Sequence, residues 1–197
     1  MPVVDGREYR SISLDLGGFE ARQGGYVVEG YATTFGQPYE FGSAYEVIDA
    51  RALDGADMGD VIFQLNHEGP VLARRRNGTL SLDVDAHGLH VVADLGGSEA
   101  GRQLHESIRN GLVDRMSWGF TVDDDGWEYD PGTRTSTVAR VKKVYDVSAV
   151  SIPANDGTEI KARSYLDGAI EAGLLEEQSR REAGRALARL TLTRLER

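Results

Sequence analysis

Hydrophobic and polar residues alternate along most of residues 1–154, which is the period of half-buried strands. SISLDL, GYVVEGYATTF and AYEVIDARAL read as short strands broken by glycine within residues 1–60. In VIFQLNH (61–67), Val61, Phe63, Leu65 and His67 share parity, which predicts a strand ending in His67 on its core-facing side. The following EGPVLARRRNG reads as a turn region. Residues 79–95 predict a hairpin: Leu80, Leu82 and Val84 alternate with polar residues, as do Leu89, Val91, Ala93 and Leu95 after Ala86-His87-Gly88. The spacing becomes helical at 98–110, where Ser98 can cap, Glu99 suits the first turn, Leu104 and Ile108 share a face and Gly111 ends the run.

VDRMSWGFTV (113–122) then predicts a strand with two unlike faces. Met116, Trp118, Phe120 and Val122 form a large apolar face, whereas Arg115, Ser117, Gly119 and Thr121 form a small polar one with room for an approaching group. DDDGWEYDPGTRT reads as a turn-rich excursion, and VARVKKVYDVSAVSIPA (138–154) as one long strand or two. From Ser164 the alternation ends. Leu166, Ile170 and Leu174, and later Leu187 and Leu190, lie at helical spacing in a segment rich in Leu, Ala, Glu and Arg. The pattern therefore divides the chain into a β-rich body, 1–163, and a helical tail, 164–197. The fold class expected is α+β, mainly β.

Composition narrows the partners. The formal net charge of −10 argues against general binding of nucleic acid or anionic membrane. Six acidic and six basic residues cancel within 164–197, so the whole excess lies on the body. With no cysteine, disulfides, thiolate metal sites and a cysteine nucleophile are excluded. MPVVDGREYR lacks the apolar stretch of a signal peptide, and no apolar run approaches the ~20 residues of a membrane span. A soluble intracellular protein is the expectation.

There are four histidines. His87 and His90 flank the hairpin turn and read as surface residues, since two histidines without a third ligand are a weak zinc signal. His105 adjoins the apolar stripe of the helix and reads as structural. His67 sits where an apolar strand meets a loop, a position suited to a core-edge histidine and also to a catalytic base. Asp123, Asp124 and Asp125 form a solvated run that matches no calcium loop, and GGSEAG lacks a phosphate-loop lysine. Asp146 is less ordinary. It lies inside an apolar strand, where an unpaired carboxylate is costly, so it needs a partner, and an imidazole is one option. A serine hydroxyl becomes a nucleophile when a base takes its proton, and a third group fixes the tautomer of that base. Ser117, His67 and Asp146 lie on three separate β segments, and their spacing permits such a meeting.

Several blocks in fixed order carry a resemblance. They are Tyr45-Glu46-Val47-Ile48, Asn66-His67-Glu68, Asn77-Gly78-Thr79-Leu80, Gly111 to Phe120 with Met116-Ser117-Trp118-Gly119-Phe120, and Asp146-Val147-Ser148-Ala149-Val150-Ser151-Ile152-Pro153-Ala154. Over roughly residues 25–163 the chain resembles the prohead (capsid maturation) serine proteases of tailed phages, which are similar in fold to herpesvirus assembly proteases. The resemblance implies a β-barrel with helices packed around it, Ser117 as nucleophile and His67 as general base. Members often carry an acid just before the V-S-x-V block, which points to Asp146 as the orienting group. The herpesvirus enzymes use a second histidine, and none of His87, His90 and His105 follows Ser117 as that one would. Backbone N–H groups are expected to hold the oxyanion.

The implied activity is cleavage of scaffold or major capsid protein precursor, and of the protease itself, inside the assembling prohead in the host cytoplasm. No metal or cofactor is required, and a homo-oligomer is compatible. The tail, 164–197, would serve as a docking or self-cleaved segment. The rival reading is a catalytically inactive assembly or scaffold module with the same fold, in which the three side chains never meet.

Overall fold

A computed structural model describes residues 7–12, 20–21, 25–41 and 44–151. The tail expected at 164–197 lies outside the described residues. Within them the chain is mainly β, with thirteen strands and one α-helix. In order these are β1 (Glu8–Ile12), β2 (Glu20–Ala21), β3 (Val27–Thr34), β4 (Tyr39–Phe41), β5 (Ala44–Ile48), β6 (Ile62–Leu65), β7 (Glu68–Arg74), β8 (Leu80–Val84) and β9 (Gly88–Asp94). Helix α1 (Glu99–Arg109) follows, then β10 (Arg115–Val122), β11 (Trp127–Asp130), β12 (Thr135–Val138) and β13 (Val141–Val150).

The expected barrel resolves into three sheets with strand orders β1-β10-β13-β6-β7, β11-β12-β5-β4 and β2-β3-β9-β8. Among the described residues no hydrogen-bonded ladder closes on itself, and one helix stands where several were expected around the barrel. Alternation reports which face of a strand is buried; it does not report which edges pair. The side chains from these sheets nevertheless share one core, in which Trp118, Phe63, Phe120, Ile48, Leu89, Leu95 and Met116 are fully buried. Trp118 and Phe120, two residues apart on one face of β10, stack with ring centroids 4.0 Å apart. The apolar face of β10 is the core face expected of it.

The hairpin at 79–95 forms with Leu80 opposite Ala93, Leu82 opposite Val91 and Val84 opposite Leu89. Helix α1 begins where the capping residue predicts. The Ser98 hydroxyl accepts the Gly101 N–H at 3.0 Å. At its other end Gly111 adopts φ 69°, and the N–H groups of Leu112 and Gly111 return to the carbonyls of Ser107 and Ile108. This double bond pattern with a left-handed residue is the Schellman termination.

Two segments read as turns contain strands. EGPVLARRRNG is mostly β7, whose Leu72 and Ala73 enter the core. Pro70 is tolerated there because β7 is the last strand of its sheet and one edge needs no ladder donor. The excursion after Asp125 folds back as the β11–β12 hairpin. Its turn is held by Asp130, which accepts from Gly132 N–H and the Thr133 hydroxyl, both at 2.8 Å. β12 then runs parallel to β5, a long-range pairing with no local signal.

Candidate active site

The five-stranded sheet brings Ser117, His67 and Asp146 together. β10 and β13 are antiparallel neighbours, with Ser117 opposite Ser148 and Gly119 opposite Asp146. Cross-strand partners project to the same face, so the hydroxyl and the carboxylate stand diagonally adjacent on it. A bulge makes this compatible with the core. Phe120 pairs with Val144, which leaves Tyr145 as an extra residue beside Asp146. The insertion reverses the parity of β13, so Val144 is buried in the core while Asp146 faces Ser117. It is the physical reason that an acid interrupts an apolar strand.

His67 arrives differently from the expectation. β6 ends at Leu65, which pairs with Glu68, so Asn66 and His67 form a two-residue hairpin turn with φ of 53° and 61°. Positive φ at both central positions defines the type I′ geometry that matches the twist of a hairpin. Asn and His are both among the few non-glycine residues enriched in this left-handed conformation. The strand-end assignment of His67 is thus corrected to a turn, and Leu65, read as core-facing, is 37% exposed. The turn is anchored to β13. The Asn66 N–H donates to Ala149 O at 2.9 Å, and Asn66 Oδ1 accepts the Ser151 N–H at 3.1 Å.

The three side chains form a chain of contacts. His67 Nε2 lies 2.6 Å from Ser117 Oγ, and His67 Nδ1 is hydrogen-bonded to Asp146 Oδ1. A carboxylate only accepts, so it assigns the ring proton to Nδ1 and turns the Nε2 lone pair of the neutral ring toward the serine. Ser148 Oγ donates to the same oxygen, Asp146 Oδ1, at 3.1 Å, giving the carboxylate a second hydrogen bond. The site is enclosed: Ser117 is fully buried, and the His67 and Asp146 side chains are 5% and 4% exposed. Chemically, this arrangement can pass a proton from a hydroxyl to an imidazole whose orientation is held by an acid.

The small polar face of β10 is not open, as alternation alone implied. β1 pairs antiparallel along the edge of β10, with Ser11 opposite Ser117 and Tyr9 opposite Gly119, and the Tyr9 side chain lies over Gly119 on this face. The Tyr9 ring meets the His67 ring edge-on at 4.4 Å, and Ser117 Oγ donates to the Arg10 carbonyl at 2.8 Å. Gly119 leaves space for the site itself. A Cβ there would stand 2.3 Å from Asp146 Oδ2 and 2.6 Å from Tyr9 Cε1. Gly119→Ala should therefore displace the carboxylate or the ring, lowering turnover by about 100-fold through misplacement of the acid. The strain should also lower stability by about 1–3 kcal/mol. Steady-state kinetics with thermal unfolding tests this, and wild-type values in both would contradict the packing described.

Sequence reasoning missed Ser148, Tyr9, Arg10 and Asn66. Ser148 carried a usable signal, being two residues from Asp146 and so on the same face of a strand. Tyr9 and Arg10 carried none, because their role arises from a pairing across more than a hundred residues. The other histidines take no part in the site. His87 and His90 flank the Tyr31 ring at centroid distances of 4.5 and 5.0 Å, and His105 is buried edge-on to Tyr26. Among the described residues no group of three histidine, cysteine or acidic side chains converges to hold a metal ion.

The family model described as caudovirus prohead serine protease matches residues 13–169. No curated protein and no solved structure matches the chain.

Proposed function

The chain belongs to the caudovirus prohead serine proteases, phage capsid-maturation proteases that act within the assembling prohead, and from that premise we propose that Ser117 is its nucleophile, His67 its general base and Asp146 the acid that orients the base. The observation that carries this reading is the unbroken contact from Ser117 Oγ through both nitrogens of His67 to Asp146. In acylation Ser117 Oγ attacks the scissile carbonyl carbon while its proton passes to His67 Nε2. Asp146 keeps Nδ1–H in place and stabilises the imidazolium that forms. The imidazolium then protonates the departing amine, the peptide C–N bond breaks and an ester remains on Ser117. Water, deprotonated by the same nitrogen, hydrolyses that ester and restores the hydroxyl.

The substrates on this reading are scaffold and the N-terminal extension of the major capsid protein, together with the protease itself. The tail, 164–197, is charge-balanced and amphipathic in sequence, which suits docking to those partners or removal by self-cleavage. An inactive assembly module remains the alternative from another class. The 2.6 Å approach of His67 to Ser117 favours the enzyme, since a scaffold has no need of an imidazole aimed at a buried hydroxyl. A fluorophosphonate tests it. Peptide mapping should find the label on Ser117 alone, with labelling lost in His67→Ala. Labelling of another serine, or none, would contradict the assignment.

A further inference from the structure

A fully buried ion pair lies directly behind the site, and the catalytic reading does not use it. Arg10 donates from Nε to Glu46 Oε1 at 2.5 Å and from Nη2 to Glu46 Oε2 at 2.8 Å, while the Tyr39 hydroxyl also donates to Glu46. Arg10 is 3% exposed and Glu46 fully buried. The guanidinium carbon lies 5.7 Å from the Phe120 ring and 5.9 Å from the Trp127 ring. Burial opposes the charge on Arg10, and Glu46 beside it outweighs that effect, holding the guanidinium above its ordinary range. Burial also pushes the Tyr39 phenol well above its usual value, with Glu46 adding to the rise, so the hydroxyl stays a donor.

This is a socket with an acid at its base and aromatic walls, matched to a planar bidentate cation. As a mere anchor for a strand it is poorly explained, because replacing a buried ion pair by apolar side chains is often neutral or stabilising. What distinguishes it is its occupant. The residue whose side chain fills the socket is the one whose backbone carbonyl receives the Ser117 hydroxyl, at 2.8 Å. β1 lies extended along the edge of β10, as a peptide does when it adds a strand to a sheet. A substrate residue cleaved by Ser117 must likewise place its carbonyl beside that hydroxyl, turned so that the carbon rather than the oxygen faces Oγ while the proton goes to His67. Glu46 and Tyr39 belong to β5 and β4 of another sheet, whereas Glu8, which accepts from Arg10 Nη1 at 3.0 Å, belongs to β1, so the acid at the base of the socket is independent of the strand that fills it.

We propose that Glu46 and Tyr39 form the pocket selecting a basic side chain, arginine above all, in the substrate residue cleaved by Ser117, and that Arg10 of β1 occupies it as the chain's own substitute. The proposal rests on the assignment of Ser117 as nucleophile. It also makes β1 a competitor. The Ser117 hydroxyl has one proton, and both His67 Nε2 and the Arg10 carbonyl lie within reach of it, so the strand must leave before a substrate can be cleaved.

The test uses the full-length chain and fluorogenic peptides identical except for arginine, lysine, citrulline or leucine at the cleaved residue. The wild type should favour arginine over citrulline by about 100-fold in kcat/KM, as a site built to pair with a polar group rejects an analogue lacking that match. Glu46→Gln should bring the ratio close to one, a comparison in which any general loss of folded enzyme cancels. Arg10→Gln should lower KM for the arginine peptide by about tenfold, the order of effect that freeing an occupied site produces. A purely structural ion pair would instead lower activity on every peptide alike. Ser117-dependent turnover of arginine and citrulline peptides at equal rates overturns the pocket and leaves the nucleophile standing. An unchanged or raised KM in Arg10→Gln overturns β1 as its occupant. Should no peptide turn over in a Ser117-dependent manner, the catalytic reading falls, and the pocket with it.

Discussion

Ser117→Ala, His67→Ala and the double variant should each lower kcat/KM on a capsid precursor by about the same factor, on the order of 10^6. The equality follows from the contact chain. On the proposed roles, the Ser117 hydroxyl is useful only when His67 Nε2, 2.6 Å away, takes its proton, so loss of either removes the same step and the two losses do not add. Folding should survive the serine substitution. Ser117→Ala deletes one hydroxyl whose single proton goes to either His67 Nε2 or the Arg10 carbonyl, at a cost of about 1 kcal/mol. The Trp118–Phe120 stack that holds β10 in the core is untouched. Kinetics of purified variants, alongside thermal unfolding, decides the matter. A double variant far worse than either single one would mean that the two residues act in separate steps.

The second large effect is expected at Asp146. Asp146→Asn should lower kcat by about 10^4-fold, because an amide can donate to His67 Nδ1 and so favour the tautomer whose Nε2 carries the proton. That ring can no longer accept from Ser117. The protein should remain folded, since Asn fills the same space opposite Gly119 and its amide nitrogen has two protons, one for His67 Nδ1 and one for the Ser148 hydroxyl oxygen. The pH dependence of kcat should change shape, which a merely structural acid would not cause. Full activity in Asp146→Asn, with another acid proving essential, would displace it from this role.

Much of this arrangement could be read from residue order. Alternation placed Trp118 and Phe120 in the core, Ser98 marked the start of α1, and the cost of an unpaired buried carboxylate required a partner for Asp146. The remainder depended on events that alternation does not encode. The bulge at Tyr145 reversed the parity of β13, and a two-residue turn moved His67 from a strand into a left-handed conformation. The polar face of β10 looked open because Tyr9, whose side chain lies over it, comes from β1, a strand that pairs from the far end of the chain. Likewise Gly119, read as part of a small face with room for an approaching group, provides the clearance that Asp146 and Tyr9 occupy. Local pattern describes a strand's faces, whereas long-range pairing decides what covers them.

The measurement that bears most directly on the assignment is an intact-mass time course of major capsid precursor co-expressed with this chain, wild type beside Ser117→Ala. The wild type should convert the precursor to a discrete shorter product within assembling shells, and Ser117→Ala, equally folded and equally abundant, should leave it at full length throughout. Conversion at the same rate by both proteins would contradict a nucleophilic role for Ser117.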